Sequence, residues 1–191
     1  VETLGAVSVL CVDKTGTITM NQMTVRETWS INNDNNSLAE ILGLGCETNA
    51  YDPMEIAMLA YCERLNLTKD SLFSGELISE YPFTNSSKMM GHVWKREGNI
   101  IIAAKGSPER ILTLCTLSSD ERLLVEEKIV ELSKKGLRVI AVAQEKVNTM
   151  ENIPTTLLEC HLQSCGLVGL ADPPRESVKV DIKNCTKAGV R

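Results

Sequence analysis

The feature that most constrains this chain is a short apolar run that ends abruptly at a carboxylate and a tight turn. Residues 7–12 read VSVLCV, a sequence rich in β-branched side chains, and Asp13 follows at once. Such a run predicts a buried strand, and Gly16 just beyond it indicates a turn. Because ligands bind at the carboxyl ends of strands in open α/β sheets, Asp13 is expected where chemistry takes place.

The residues that follow Asp13 suit a phosphoryl group. A carboxylate accepts such a group when it is held in line with a γ-phosphate and the developing charge is stabilised. Backbone N–H groups of residues 14–17 can point at phosphate oxygens, Thr15 offers a carbonyl to Mg²⁺, and Thr17 offers a hydroxyl. We therefore predict Asp13, Lys14 and Thr15 as the catalytic group, with Asp13 and Thr15 as Mg²⁺ ligands.

Two alternatives stay open at this point. Asp-Lys-Thr-Gly alone is also a good turn sequence without catalytic meaning. Soluble phosphatases of the haloacid dehalogenase type also use such an aspartate, but they usually carry a second Asp two residues later, as general acid and base. Here that residue is Thr15, so water should attack an aspartyl phosphate at Asp13 more slowly, which favours a persistent phosphoenzyme.

Composition and charge narrow the class of protein. The 191 residues are 43% hydrophobic and 24% charged, which is typical of a globular protein with a real core. The net charge of −5 and the lack of a basic stripe argue against nucleic acid as a partner. No apolar run approaches the roughly 20 residues that span a bilayer, and no secretory signal is evident. We expect a piece that is not itself inserted in a membrane.

The seven cysteines do not form a recognisable framework. Their number is odd, no CxxC pair occurs, and His92 and His161 are remote from any cysteine pair. Neither a disulfide framework nor a zinc site is expected from this spacing. Reduced and mostly buried thiols fit the pattern better.

Hydrophobic periodicity predicts an α/β chain with an α+β insertion. Strands are expected over residues 23–30, 76–83, 89–94, 99–104, 137–144 and 160–170, and helices over 38–46, 52–65, 108–115, 119–135 and 176–188. The helix over 119–135 has the clearest amphipathic pattern, and its predicted apolar side consists of Leu123, Leu124, Ile129, Val130 and Leu132. Asp52 is the expected N-cap of the second helix, with Pro53 in its first turn.

Six short segments occur in a telling order along the chain. They are DKTGTIT (13–19), DPME (52–55), YPF with KMM (81–83 and 88–90), KGSPE (105–109), GLRVIA (136–141) and DPPR (172–175). In this order they resemble the signatures of P-type ATPases, with Ile18 where most members have Leu and KGSPE where the family has Lys-Gly-Ala-Pro-Glu. The resemblance covers nearly the whole chain, and the ordered set is far more specific than any one segment.

The resemblance implies a nucleotide pocket. Phe83 would stack on adenine, Glu55 would accept a hydrogen bond from the adenine amino group, and Arg138 would reach the phosphates. Further implied binding residues are Asp52, Asn85, Lys88, Lys105 and Gly106, and the implied hinge residues are Asp172 and Arg175. Asn85 stands where calcium-pump relatives often carry Arg, which leaves a phosphate contact there open. The structural alternatives are a core role for Phe83, ordinary solvated charges for Lys88, Lys105 and Arg138, and helix-cap roles for Asp52 and Glu55.

The same resemblance implies how the chain is divided. Residues 1–21 and 172–191 would be pieces of a haloacid-dehalogenase-like α/β phosphorylation domain, interrupted by a nucleotide-binding domain over 22–171. The latter would be an antiparallel sheet flanked by helices. A final helix followed by Gly-Val-Arg should lead into a second parallel strand, so we expect the phosphorylation domain to be truncated in this chain.

The implied function is that of the cytosolic ATP-binding region of a cation pump. The pump would couple ATP hydrolysis, through an aspartyl phosphate at Asp13, to cation transport across a membrane. ATP and Mg²⁺ are the implied cofactors, the transmembrane and actuator domains are the implied partners, and the cytoplasmic face of a membrane is the implied location. We expect this piece to bind ATP weakly without turnover, and the motif style leans toward calcium-type pumps. Rival interpretations are a soluble phosphatase with a cap insertion and a non-enzymatic nucleotide-sensing module.

Overall fold

One antiparallel sheet of six strands organises most of the chain. The strands are β1 (Thr24–Ser30), β2 (Glu76–Tyr81), β3 (Met89–Arg96), β4 (Asn99–Gly106), β5 (Arg138–Val147) and β6 (Gln163–Ala171). Their spatial order is β1-β6-β5-β4-β3-β2, and each neighbouring pair is antiparallel. The predicted antiparallel sheet with flanking helices is confirmed.

The structure, a computed structural model, describes residues 7–191. These residues divide into two compact units, a larger one over Thr24–Ala171 and a smaller one formed by residues 7–23 and Asp172–Arg191. In the described part of the chain, no helix combines the length and the apolar character needed to cross a bilayer. The first six residues of the predicted 1–21 segment lie outside the described residues.

The described residues contain six α-helices. They are α1 (Asn35–Leu44), α2 (Pro53–Arg64), α3 (Lys69–Leu72), α4 (Pro108–Ile111), α5 (Ser119–Lys134) and, in the smaller unit, α6 (Val178–Lys187). The sequence pattern located five of them and missed the short α3. The predicted N-cap of α2 is present, because Asp52 Oδ1 accepts hydrogen bonds from Met54 N at 2.8 Å and Glu55 N at 3.4 Å.

The two faces of the sheet carry different helices. Strand residues alternate between faces, and on one face Ile102 packs in a cluster with Ile111 of α4 and Val125 of α5. On the opposite face Trp94 Nε1 donates to the carbonyl oxygen of Leu44, at the end of α1, over 2.8 Å. This second face, covered by α1 and α2, is the one that carries the candidate nucleotide site described below.

The predicted apolar side of α5 is wrong in part. Val125 and Leu132 are the buried residues of this helix, and Ile129 packs against the same cluster. Leu123, Leu124 and Val130, which the prediction placed on the apolar side, are 60%, 49% and 51% exposed. A spacing of four and then three residues places positions 125, 129 and 132 on one stripe, and that narrow stripe is all that the sheet covers.

The predicted buried strand over residues 7–12 is also wrong. Its apolar side chains are 40–55% exposed at Val7, Val9, Leu10 and Val12. Arg191 N donates to Ser8 O at 2.9 Å and Leu10 N donates to Arg191 O at 2.7 Å, which is the hydrogen-bonding pattern of a parallel pair around Val9. A strand is buried when neighbouring strands and helices cover it, and all six strands of the described residues belong to the larger unit.

Candidate functional site

The segment after Asp13 is a closed loop. Residues Lys14–Ile18 turn back so that Thr19 N donates to Lys14 O at 3.0 Å. Gly16 has φ +80° at the apex, in the left-handed region that glycine enters without steric cost. Asp13 stands exposed directly before this loop. Both predicted Mg²⁺ ligands, Asp13 and the exposed Thr15, offer oxygen atoms, the donors that Mg²⁺ prefers.

Asp172 holds this loop from the far end of the chain. Its Oδ2 accepts a 2.5 Å hydrogen bond from Thr19 Oγ1, and its Oδ1 accepts one from Gln22 N at 3.0 Å. Thr19 Oγ1 in turn accepts from Gly16 N at 3.2 Å. The hydrogen bond from Thr19 is the largest cause that holds the pKa of Asp172 below its ordinary value of 3.8. The carboxylate is therefore stabilised in its charged form.

Arg175 ties down the carbonyl groups of the same loop. Its guanidinium donates to Gly16 O at 2.9 Å and to Thr17 O at 3.2 Å. Its backbone N–H donates to Ile18 O at 2.9 Å. The two residues predicted as a hinge, Asp172 and Arg175, are thus the residues that fix the conformation of the loop after Asp13.

The residues predicted to bind nucleotide in the larger unit converge on one end of the sheet. Phe83 follows β2, Lys88 precedes β3, Lys105 and Gly106 end β4, and Arg138 begins β5. Because successive strands are antiparallel, the ends of β2 and β4 and the starts of β3 and β5 lie at the same end of the sheet. The pairs Met90–Lys105 and Lys105–Val142 fix this register.

A buried ion pair forms the base of this region. Lys105 Nζ lies 2.6 Å from Glu55 Oε1, and the two side chains are 6% and 8% exposed. The ammonium group also donates to the carbonyl oxygen of Gly45 and lies 3.2 Å from Met90 Sδ. Glu55 Oε2 accepts from Glu47 N at 3.4 Å. Lys105 is therefore not an ordinary solvated charge, and Glu55 is more than a helix-cap residue.

The loop between β2 and β3 presents an aromatic ring and a cation. Phe83 is 55% exposed, so it is not a core residue. Thr84 and Ser87 hold the loop together, since Ser87 N donates to Thr84 Oγ1 at 3.0 Å and Lys88 N donates to Thr84 O at 2.8 Å. Lys88, with φ +54°, and Asn85 are exposed. The ring is offered to solvent from a loop that is already ordered by its own hydrogen bonds.

Gly106 allows this loop to lie directly against the end of β4. A Cβ at position 106 would stand 2.6 Å from the carbonyl oxygen of Lys88 and 2.6 Å from Met89 Cβ. The same carbonyl accepts from Ser107 N at 2.9 Å. A side chain here would push the Lys88 segment away, so the glycine serves close backbone approach.

Arg138 is the exposed first residue of β5. Residues at positions 138, 140 and 142 share a face of the strand, and Val142 is paired with Lys105. Arg138 is therefore placed on the same face of the sheet as the buried ion pair, two residues before Ile140 and at the very start of β5.

Four contributors to these two regions were not predicted as site residues. Thr19, Gly45, Glu47 and Met90 contact predicted site residues through long-range packing or a backbone atom. Thr19 lies in DKTGTIT and Met90 lies in KMM, two segments that the sequence pattern had marked, whereas Gly45 and Glu47 lie in neither. A surface cavity of about 430 Å³ lies at the other end of the sheet around Gly75 and the β3–β4 turn, away from the predicted site residues of the larger unit.

Comparison with known proteins agrees with the fold and the ordered motifs. The family model described as "P-type ATPase, cytoplasmic domain N" matches residues 31–177. The chain belongs to the P-type ATPase family.

Its relatives transport different cations according to their names. It is 34% identical to calcium-transporting ATPase 1 of Bacillus cereus, with all of this chain and 25% of the relative covered. It is 33% identical to a probable cation-transporting P-type ATPase of Mycoplasma genitalium, with 100% and 23% covered. It is 27% identical to the sodium/potassium exporting P-type ATPase cta3 of Schizosaccharomyces pombe, with 100% and 25% covered. The chain thus spans about a quarter of the length of these relatives.

Proposed function

We propose that the larger unit binds ATP at the end of the sheet where Phe83, Lys88, Lys105 and Arg138 lie. The observation that carries this proposal is the exposed ring of Phe83 on an ordered loop that also presents exposed Lys88, with exposed Arg138 at the same end of the sheet. An exposed aromatic face stacks on a nucleobase, and cationic side chains bind phosphate oxygens. This composition suits a nucleoside triphosphate better than an uncharged ligand.

Each residue has a distinct part in this proposal. Phe83 stacks on adenine, and Lys88 and Arg138 neutralise phosphate charge. Lys105 has its charge balanced by Glu55 at 2.6 Å, so it shapes the base of the pocket more than it adds net positive charge. The Glu55 oxygens keep acceptor capacity for the adenine amino group, since a carboxylate has about four lone-pair sites.

We further propose that Asp13 accepts the γ-phosphoryl group. A carboxylate oxygen of Asp13 attacks the γ-phosphorus, the bond to the β–γ bridging oxygen breaks, and ADP departs with that electron pair. N–H groups of the loop over Lys14–Ile18 stabilise the equatorial oxygens. Mg²⁺, held by oxygen donors at Asp13 and Thr15, would offset the negative charge of the transferring group. The absence of a second acid at Thr15 slows attack by water.

The whole protein, by this proposal, uses the phosphorylated Asp13 to drive cation transport. Its partners are the remaining domains of the pump, including the transmembrane and actuator domains. A calcium-type cargo is supported by the relative from Bacillus cereus, which is named a calcium-transporting ATPase. This chain alone is expected to bind ATP without turnover.

Nucleotide titration tests the binding site. ATP binding to the 191-residue chain is measured by calorimetry and by amide NMR for the wild type, Phe83→Ala and Lys88→Gln. Loss of base stacking is expected to weaken binding by about 1–3 kcal/mol for Phe83→Ala. Leu123→Ala is the matched control, because Leu123 is an equally exposed apolar residue on α5. Unchanged affinity in both site variants would discard the pocket.

Phosphorylation of the full-length protein tests the acceptor. Membranes containing the wild type are expected to incorporate label from γ-labelled ATP in an acid-stable, hydroxylamine-sensitive form. Asp13→Asn, which keeps the shape and removes the nucleophile, is expected to abolish that label while ATP still binds. Retained labelling in this variant would show that another residue is the acceptor.

A further inference from the structure

A buried histidine faces two carboxylates on the sheet face that carries the candidate nucleotide site. His92 is 1% exposed, and its Nε2 lies 3.8 Å from Glu47 Oε1. Glu80 is the cross-strand neighbour of His92 on β2. One ligand atom from each of the three side chains lies within 4.8 Å of the others. Their side chains have no part in the proposed ATP binding or phosphoryl transfer, and the contact of Glu47 with Glu55 is made by its backbone N–H.

The hydrogen bonding of His92 determines what its Nε2 can do. Its Nδ1 lies 3.1 Å from the carbonyl oxygen of Leu44, and because a carbonyl only accepts, Nδ1 carries the proton. Within residues 7–191, the buried Nε2 has no hydrogen-bond partner. In the neutral ring this atom presents a lone pair toward acidic groups, an arrangement that a positive ion between them would stabilise.

The arrangement has the chemistry of a transition-metal site. Histidine ligands of metals usually donate their other ring N–H to a carbonyl or carboxylate, as His92 does to Leu44. Imidazole and carboxylate together suit Zn²⁺ and related first-row ions. Two carboxylates and a neutral imidazole also balance the charge of a divalent ion.

The distances allow an ion to enter with a small movement. Metal–ligand bonds of about 2.0–2.2 Å place neighbouring tetrahedral ligand atoms about 3.3 Å apart. The observed 3.8 Å between His92 Nε2 and Glu47 Oε1 is too long for a hydrogen bond but close to this value. Glu47 lies between α1 and α2 with its side chain 40% exposed, and Glu80 is exposed, so both carboxylates are free to close on an ion.

We propose that Glu47, Glu80 and His92 form a binding site for a divalent first-row transition ion of the Zn²⁺ class, with water in the remaining coordination position. The site is separate from the Mg²⁺ position proposed at Asp13. Its existence does not depend on ATP binding, so the two proposals can fail independently.

Metal titration of the intact 191-residue chain tests this site. After treatment with a chelator, Zn²⁺ is expected to bind at one site and to raise the Tm, because an ion that binds the folded state stabilises it. Glu47→Gln and Glu80→Gln keep side-chain shape and are each expected to weaken Zn²⁺ binding at least about tenfold. Glu76→Gln is the matched control, an exposed carboxylate on the same strand as Glu80, and is expected to bind like the wild type.

Spectroscopy identifies the ligands directly. The chain has two histidines, so exposed His161 is an internal reference for buried His92 in side-chain ¹⁵N NMR. Zn²⁺ is expected to shift Nε2 of His92 and to leave His161 unchanged. Co²⁺ is expected to give d–d absorption without a thiolate charge-transfer band. The presence of that band would instead reveal binding at exposed Cys11.

Four results would overturn the proposal. They are an absence of saturable Zn²⁺ binding, equal affinity in Glu47→Gln, Glu80→Gln and Glu76→Gln, a shift at His161 in place of His92, and a His92 Nε2 whose chemical shift is unchanged when Zn²⁺ is added. The carboxylate variants keep the test decisive even if a substitution at buried His92 prevents folding.

Discussion

Lys105 and Glu55 form a buried ion pair, with Nζ 2.6 Å from Oε1, that joins the end of β4 to the first turn of α2. The pair links positions 50 residues apart and lies where the sheet edge and the helix meet. Both partners also have second contacts, to Gly45 O and Glu47 N respectively. The pair therefore positions the start of α2 against the end of the sheet that carries the candidate nucleotide site.

Breaking this pair on one side is expected to destabilise the larger unit strongly. Lys105→Met leaves a buried carboxylate and Glu55→Gln leaves a buried ammonium, and each is expected to lower the free energy of unfolding by about 3–5 kcal/mol. The double variant is expected to lose less than the sum of the two, because neither charge is then left alone. Urea denaturation of the four proteins measures this cycle.

A surface pair supplies the control for that cycle. Lys128 Nζ and Glu131 Oε2 lie 2.5 Å apart on α5, with their side chains 26% and 46% exposed. Solvent screens such a pair, so Lys128→Met and Glu131→Gln are expected to change stability far less. Equal losses for the buried and exposed pairs would contradict the structural role of Lys105 and Glu55.

Gly106→Ala is expected to disturb the loop that presents Phe83. The added Cβ would meet Lys88 O and Met89 Cβ at 2.6 Å, and such overpacking costs about 1–3 kcal/mol. Urea denaturation measures that cost, and amide NMR should show shifts centred on residues 84–89. Gly45→Ala is the control, because its nearest neighbour, Ile41 O, would lie at 3.4 Å. A larger effect at Gly45 than at Gly106 would contradict the close approach described here.

Thr19→Val is expected to raise the pKa of Asp172 toward 3.8, because it removes the hydrogen bond that is the largest cause of its lowered value. A carboxyl whose pKa is lowered in the folded state stabilises that state above pH 3.8, and this contribution is lost as the pH falls through the lowered pKa. The variant is therefore expected to lose part of this acid-labile stabilisation. Carboxyl ¹³C NMR across the acid range measures the pKa, with Thr17→Val as the control. An unshifted pKa in Thr19→Val would rule out the contact.

The thiols are expected to fall into two classes of reactivity. Burial raises the pKa of the Cys46 thiol to about 11 and that of Cys62 to about 12, so thiolate is scarce at neutral pH and shielded from reagents. Cys11 is exposed and is expected to be alkylated first. Mass spectrometry of alkylation with time, with and without urea, checks this order. Fast labelling of Cys46 or Cys62 in the native protein would contradict the buried core around α1 and α2.

Local sequence patterns identified most elements of the larger unit because their causes are local. Asp52 and Pro53 start α2 through capping and a fixed φ, and Gly16 permits the loop after Asp13, each within a few residues. Alternation and apolar runs likewise located all six strands to within a few residues. The ordered motifs were sufficient to predict which family the chain belongs to.

Only the tertiary structure decided which of these elements meet. Strand order, the Lys105–Glu55 pair and the contacts of Asp172 with Thr19 join positions far apart in the chain, and no short-range pattern encodes them. The same limit explains two wrong predictions: part of the predicted apolar side of α5 is exposed, and so is the segment over residues 7–12 that was predicted to be buried. A periodic apolar sequence states that a face can be buried, but whether it is buried depends on which other elements pack against it.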